Sequence, residues 1–329
     1  MRAVLVKETG GPEQLYIGET ETPRPSAGEL LVRVQATALN RADLLQRRGL
    51  YPPPQGASPI LGLEMAGEVV ETGEQVTDWK TGDRVCALLP GGGYAEYVTI
   101  PEGMAMAVPA SFSYEEAAAI PEVWLTAYLN LSWLGGLDEG SRVLVHAGAS
   151  GVGTAAIQLI REAGGSAWVT AGSGRKLERC RTLGAEDGWN YRNGSFLPWL
   201  AERVPDGVDI VMDFVGAPYL QDNLRALAVD GRLIIIGTMG GSSYEGKLDL
   251  GSLLRKRLQV IGTNLRMRHA AEKIKLSQQF STYAMPRFAS GALKPVIDRV
   301  YAWQDAAEAH RYMERNENIG KIILQVDNA

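Results

Sequence analysis

Soft metal ligands are scarce in this chain, with two cysteines, Cys86 and Cys180, and three histidines, His146, His269 and His310. No two of them stand at C-x-x-C or H-x-x-x-H spacing, so no local zinc site is expected. Two distant thiols allow at most one disulfide, and reduced, buried cysteines of an intracellular protein are the expectation. Long apolar runs are missing as well. LIIIG at 233–237 is of strand length and far too short to cross a bilayer, so no membrane association is expected. The opening MRAVLVKETGGPEQ lacks the apolar core and small-residue cleavage site of a secretory leader. It reads as a first strand, and a cytoplasmic location follows as an expectation. Positive charge is nowhere concentrated, and the net charge is −5, which argues against a nucleic-acid partner. Internal repeats and low-complexity tracts are absent too.

What is present is a soluble globular composition, 45% hydrophobic and 22% charged, in 329 residues, enough for two domains. The first 120 or so residues read as β-rich. Candidate strands are 3–6, 30–36, 65–72, 83–89 and 93–100, separated by Gly/Pro clusters such as TPRPSAGE and YPPPQGASP. Alternation such as Val32-Arg33-Val34-Gln35 gives one buried and one wet face. Near 113 the texture changes. Ser113 followed by Glu116 is a capping-box signature opening the helical stretch EEAAAIPEVWLTAYLNLSWL. Beyond it, apolar strands at 143–147, 167–172, 209–216, 233–238 and 258–265 are interleaved with helices at about 151–163, 175–183 and 218–228. That alternation predicts a doubly wound parallel sheet covered on both faces. The last sixty or so residues add a helix near 270–284, a strand at 297–303, a helix at 305–315 and a strand at 319–326. This terminal segment is expected to return to the first domain.

The strongest chemical signal is HAGASGVGTAAIQL, 146–159, just after an apolar strand and opening an amphipathic helix. Gly148 makes the tight turn in this reading, and Gly153 lets helix and strand pack closely. The N–H groups of Ser150, Gly151, Val152 and Gly153 would face a pyrophosphate at the positive end of the helix. Ser150 stands where the G-x-G-x-x-G pattern has its middle glycine, and the bland alternative is a glycine-rich turn without a ligand. After the second strand of this region, an NAD-preferring site places an acid on the ribose hydroxyls. Here the run is Thr170-Ala171-Gly172-Ser173-Gly174-Arg175-Lys176, with no acid and two cations. Such a loop suits the 2′-phosphate of NADPH. Alternatively, the cations merely begin a solvated helix, where they slightly oppose the helix dipole.

The segments ALNRADLLQRRGLYPPP, LGLEMAGEVVETG, GDRVCALLPGGGYAEYV, AAAIPEVWLTAY, HAGASGVG and NIGKIILQV occur in order along the whole chain. Together they resemble quinone oxidoreductases of the medium-chain dehydrogenase/reductase superfamily, on the side of the tumour-suppressor-inducible type and its bacterial relatives. The resemblance implies an α/β protein: a GroES-like β-rich catalytic domain from 1–121 and 266–329, and a doubly wound Rossmann NADPH-binding domain over 122–265. It also implies a cleft where NADPH lies. Zinc-dependent relatives hold the catalytic metal through Cys, His and Cys. Asn40 and Leu63, beside Glu64, stand at two of those positions, and the segment carrying a structural zinc is missing. Soft ligands are lacking, so hydride transfer without a Lewis acid is implied.

Carried over by position, Asn40, Asp43 and Tyr51 fall on the family's polar active-site positions, and Thr126 falls near the nicotinamide. Lys176 and Tyr191, with Gly172 and Ser173, fall at the 2′-phosphate. Gly262 to Leu265, Asn264 and Leu265 among them, fall beside the nicotinamide carboxamide through their backbone, Gly237 is a further cofactor-binding candidate, and Asn318 and Lys321 fall in the run that closes over the cofactor. Leu45 replaces a tyrosine of some relatives, which implies a wider or more apolar pocket. Asn40 and Asp43 also suit a plain helix cap, and Tyr51 a loop-packing role. His146 reads as structural, and Glu64 as a hydrogen-bonding group rather than a base.

The activity implied is NADPH-dependent reduction of a small-molecule quinone, with Tyr51 and Asn40 as donors to the developing oxyanion. Two alternatives stay open: reduction of an activated C=C bond in an enone or enoyl-thioester, and a non-catalytic NADPH-binding or structural role. A homodimer formed by strand pairing through LQVIGTNL is the expected assembly.

Overall fold

The structure, a computed structural model, describes residues 1–327. The chain divides into two units, Met1–Leu125 with Leu265–Ala329, and Thr126–Asn264. The first division falls inside a helix, a few residues beyond the sequence boundary at 121.

In the first unit, β1 (Arg2–Val6) and β2 (Leu15–Glu19) form an antiparallel pair. There follow β3 (Glu29–Ala38), α1 (Arg41–Arg47), β4 (Glu64–Thr72), β5 (Arg84–Leu88), β6 (Tyr97–Pro101) and β7 (Met106–Ala107). Period-two alternation does its expected work in β3. Val32, Val34 and Ala36 are fully buried, while Arg33 and Gln35 are only partly covered. The predicted long helix is two helices, α2 (Tyr114–Ala118) and α3 (Pro121–Tyr128). Its start is as read: Ser113 Oγ accepts from the Glu116 N–H at 3.2 Å, and the Glu116 carboxylate accepts from the Ser113 N–H at 2.9 Å. The break comes from Pro121, which has no N–H to give a preceding turn, disfavours helical geometry at Ile120, and suits the first position of a new helix.

The second unit is a parallel sheet of β8 (Arg142–Val145), β9 (Ser166–Ala171), β10 (Ala185–Asn190), β11 (Val208–Asp213), β12 (Leu227–Ile235) and β13 (Gln259–Gly262). Its helices are α4 (Gly151–Glu162), α5 (Gly174–Leu183), α6 (Leu197–Arg203), α7 (Leu220–Ala226) and α8 (Leu250–Lys256). The strand order β10-β9-β8-β11-β12-β13 reverses direction at β8. Such a switch point opens a crevice at the carboxyl ends of the strands. Leu144, Phe196, Leu200, Val208, Val211 and Leu233 form part of its core. Gly184, at φ 112°, ends α5 in a left-handed cap, as the sequence suggested.

The chain then returns to the first unit through α9 (Ala270–Ser290), β14 (Ile297–Ala302), α10 (Ala306–Glu314) and β15 (Lys321–Gln325). β15 pairs antiparallel with β3, Ile323 facing Ala38, and parallel with β14, giving the order β14-β15-β3-β4-β5-β7 with β6 on β3. Ile322 and Leu324 thereby join Val32, Val34, Met65, Trp303 and Tyr312 in one core. The architecture is the expected one, a GroES-like β-rich unit and a doubly wound unit. Both cysteines are buried and unpaired. Among the described residues no helix is long and apolar enough to cross a membrane.

Candidate active site and cofactor cradle

Where β3 ends, Asn40 caps α1. Asp43, three residues on, reaches back to accept from the Asn40 N–H at 2.7 Å and takes the Gly62 N–H at 2.9 Å with its other oxygen. Capping therefore belongs to Asp43, and the Asn40 side chain points elsewhere. Its Nδ2 donates to Glu64 Oε1 at 2.8 Å, and its Oδ1 accepts from Lys321 Nζ at 2.8 Å. Lys321 Nζ also donates to Glu64 Oε1 at 2.7 Å and to the Leu39 carbonyl at 2.8 Å, which commits all three of its protons. Glu64 Oε2 accepts from the Glu122 N–H at 2.8 Å. Asp43 and Glu64 are fully buried, Lys321 nearly so. β3, β4, β15 and α3 thus converge on one buried ion pair, held by the adjacency of β15, β3 and β4 in the sheet.

Electrostatics here runs against free carboxylates. Burial raises Asp43 to about 6, although its two backbone hydrogen bonds, Lys321 and Arg266 pull the other way. Burial and the neighbouring Glu64 carry Glu122 to about 8, with Asp43 adding to the effect and Lys321 and Arg266 opposing it. Arg266 is a further member. It donates to the Pro90 carbonyl and to Gln46 Oε1 at 2.6 Å, and its guanidinium lies 5.2 Å from the centre of the Tyr51 ring. Its Nη1 is buried without a hydrogen-bond partner among the described residues.

Asn40, Asp43 and Lys321 therefore meet in the first unit, and Tyr51, in the same unit, lies against Arg266. Thr126 lies in the second, where its carbonyl accepts from Asn130 Nδ2 at 2.7 Å. Leu45 is exposed. Asn318 donates to the Gly320 carbonyl at 2.8 Å and so shapes the turn into β15. Glu122, Arg266 and Gln46 were missed in the sequence. A glutamate after a proline at a helix start looks like a dipole-matching surface acid, and only the fold puts it beside Glu64.

In the second unit, the turn from β8 to α4 is closed by Gly148 N–H donating to the Thr170 carbonyl at 2.9 Å. A Cβ on Gly148 would stand 2.7 Å from Val169 Cβ, and one on Gly153 would stand 2.5 Å from the Ala147 carbonyl oxygen. Both glycines are thus required by close approach. Ser150 is the N-cap of α4, its Oγ accepting from the Gly153 N–H at 3.1 Å, while its own N–H goes to the Ala147 carbonyl. That is the reason for serine in place of the middle glycine. It leaves the N–H groups of Gly151 and Val152 without partners among the described residues at the positive helix end.

After β9, Ser173 caps α5, its Oγ accepting from the Lys176 N–H at 3.3 Å. A Cβ on Gly172 would stand 2.5 Å from the Tyr191 hydroxyl, so that phenol rests on bare backbone. Tyr191 is 44% exposed, and Arg192 next to it adds a cation that the sequence reading passed over. His146, fully buried, pairs its Nδ1 with Thr170 Oγ1 at 3.0 Å and its Nε2 with Asn223 Oδ1 at 2.7 Å. Asn223 Nδ2 donates to Asp213, which also accepts the Val215 and Gly216 N–H groups. The carboxyl ends of β8, β9 and β11 are tied together in this way. Burial lowers His146 to about 4, so the imidazole is neutral. Gly237 donates to the Asp213 carbonyl at 3.3 Å, whereas Asn264 and Leu265 fall at the junction of the units.

A catalytic zinc does not suit the donor set. Leu63 offers no ligand atom, and the Asn40 amide and Glu64 Oε1 already bind an ammonium. The cofactor cradle, in contrast, fits a dinucleotide: two glycines that exclude a Cβ, two unpaired N–H groups, and a cationic loop without an acid.

Comparison with known proteins agrees with this geometry. Residues 26–110 match the alcohol dehydrogenase GroES-like domain family, and residues 183–324 a zinc-binding dehydrogenase family. The synaptic vesicle membrane protein VAT-1 homolog of Rattus norvegicus is 32% identical over 98% of this chain and 84% of its own length. Among solved structures, an NAD-dependent alcohol dehydrogenase is 33% identical with a TM-score of 0.88, covering 99% of this chain and all of that one. The Escherichia coli quinone oxidoreductase complexed with NADPH is 29% identical with a TM-score of 0.87, again covering 99% and 100%. The CurK enoyl reductase is 29% identical with a TM-score of 0.86, covering 99% of both chains. The chain belongs to the medium-chain dehydrogenase/reductase superfamily and is an oxidoreductase of the quinone oxidoreductase-like type.

Proposed function

We propose that this protein is an NADPH-dependent quinone reductase that transfers hydride without a metal. The observation that carries the reading is the second unit's dinucleotide cradle, with its acid-free cationic loop, in a chain whose polar cluster holds an ammonium where relatives hold zinc. NADPH is the cofactor and supplies the hydride when bound. Gly151 and Val152 N–H would hold the pyrophosphate, and Lys176, Tyr191 and Ser173 the 2′-phosphate. The substrate-side work falls to the first unit. Tyr51, backed by the Arg266 guanidinium, donates to the oxygen that gains charge. Asn40 is held rigid by Glu64 and Lys321, and its Nδ2 keeps only one long second contact, 3.4 Å to the Ala38 carbonyl.

A second reading, reduction of an activated C=C bond, is favoured by the likeness to the CurK enoyl reductase and shares every cofactor contact. Steady-state turnover of NADPH against matched panels of quinones and enones separates the two. Tight NADPH binding with no turnover in either panel would leave a non-catalytic role. We also infer a homodimer, because β13 is an edge strand and Val260 on it is 47% exposed. Light scattering at several concentrations tests this inference.

A further inference from the structure

We propose that Glu122 is the proton donor of the reaction, delivering its carboxyl proton to the acceptor oxygen that becomes negative as hydride arrives on carbon. The inference rests on the reductase reading and deepens it, because neither quinone nor enone reduction is complete without one proton.

Placement is the first argument. Glu64 clamps Asn40 through one oxygen and the Glu122 N–H through the other. The start of α3 is therefore fixed one residue away from the pocket amide. The Glu122 side chain is only partly covered, and its carboxyl has no hydrogen-bond partner among the described residues. A carboxyl that the fold positions but does not use is available to a ligand.

Charge is the second argument. The groups facing Glu122 are Glu64 on β4, Asp43 on α1, Lys321 on β15, Arg266 ahead of α9, and Lys273 on α9. None of the three cations hydrogen-bonds the Glu122 carboxyl: Lys321 donates to Leu39, Asn40 and Glu64, Arg266 to Pro90 and Gln46 with its Nη1 left over, and Lys273 to the Arg266 carbonyl at 2.6 Å. Burial is the largest cause of the upward shift, Glu64 and Asp43 add to it, and Lys321 and Arg266 oppose it. The acid consequently stays protonated to about pH 8. A donor with its midpoint near the working pH is the efficient one.

The balance closes simply. The acceptor carbon would gain one hydrogen and two electrons, for which a bound reduced nicotinamide would be the source and would be oxidised in turn. The Glu122 O–H bond breaks, a bond forms from that proton to the acceptor oxygen, and the carboxylate is reprotonated by water. Tyr51 and Arg266 hold the oxygen while this happens.

The test compares wild type with Glu122→Gln, which is isosteric and keeps the backbone bond to Glu64. Infrared titration of the carboxylic C=O band is expected to show a group with a midpoint near pH 8 that vanishes in Glu122→Gln. Single-turnover reduction of the best acceptor should fall in wild type above about pH 8. In the variant it should be at least tenfold slower and lack that limb, while NADPH affinity by fluorescence and the melting temperature stay close to wild type. A Glu122-dependent C=O band, absent from Glu122→Gln, that titrates below pH 6, or an active wild type whose Glu122→Gln variant keeps both rate and limb, overturns the proton donor and leaves the reductase reading standing. A wild type that turns over no acceptor removes the reductase reading, and the donor with it.

Discussion

Lys321 shows what one side chain does in the buried cluster. Its ammonium is the sole cation that hydrogen-bonds Glu64 among the described residues, and both are almost fully buried. Removing one partner of such a pair strands the other, at a typical cost of about 3–5 kcal/mol, whereas replacing both is far milder. Lys321→Met should therefore lower unfolding free energy by that order in urea titrations, and Lys321→Met with Glu64→Gln should recover much of it. Asn40→Ala belongs to the same class, because it removes a partner from both charges. It should lose stability as well as activity, so Tyr51→Phe is the cleaner probe of the pocket. That variant should lower kcat/KM for a simple quinone by at most about 3–4 kcal/mol in barrier terms, with NADPH affinity unchanged. His146 supplies a pH dependence of definite sign. Its folded pKa, about 4, lies below the ordinary 6.5, so the unfolded chain takes up the proton first. The contribution of His146 itself is full above about pH 6.5 and is lost as pH falls toward 4, roughly 3 kcal/mol across that window, while Asp43 and Glu122, both raised, contribute in the opposite sense and buried His310 in the same one. Thermal melts of wild type and His146→Gln from pH 7.5 to 4 isolate the His146 contribution: wild type should lose stability relative to the variant as pH falls.

Elements show where the sequence was legible and where it was not. Strands buried on one or both faces, such as β3, β8 and β11, announce themselves by alternation or by unbroken apolar runs, and α5 by its glycine stop. β10 did not. Its AEDGWN carries residues that disfavour strands, and it holds its place at the sheet edge through pairing with β9. The capping box before α2 was readable, whereas the fate of Pro121 required weighing a helix start against a helix interior. Site residues divide in the same way. The glycines of the cradle have a sequence signature because backbone approach demands them. Glu122 and Arg266 have none, since their roles come from strands and loops far apart in the chain. The cradle makes two predictions at this scale. Gly153→Ala forces a Cβ to 2.5 Å from the Ala147 carbonyl oxygen, which the turn cannot relieve without lifting α4. NADPH affinity should drop together with stability. The loop after β9 should favour NADPH over NADH by at least about tenfold, a gap of ~1.4 kcal/mol, and Ser173→Asp with Lys176→Ala should narrow or reverse it. Parallel fluorescence titrations of both cofactors decide the matter, and the likeness to an NAD-dependent alcohol dehydrogenase makes the measurement a sharp one.

For the molecule as a whole, thiol accessibility reports on both units at once. Cys86 lies in the first unit and Cys180 in the second, both buried, with Cys180 pushed up to about 12 chiefly by burial. Neither is a ready thiolate. Titration with a thiol reagent should find almost no reaction in the native protein and two thiols per chain in denaturant. One fast thiol under native conditions would point to local opening of the unit that carries it.

The place of β15 between β14 and β3 has a consequence for how the chain is made. During synthesis β3 to β7 emerge early, yet the sheet they belong to lacks an inner strand until the whole second unit has been translated. At about 5–20 residues per second, that interval is on the order of ten to forty seconds. The second unit is continuous in sequence and can close as it leaves the ribosome. The first must wait, with the Ala36–Ala38 end of β3 unpaired, since β6 covers only Glu29–Arg33 on that side, and with Glu64 without its ammonium. Nascent chains stalled before β15 should thus carry a protease-resistant fragment near 126–264 and a susceptible N-terminal part, and this waiting period is when a chaperone would be of most use to the protein.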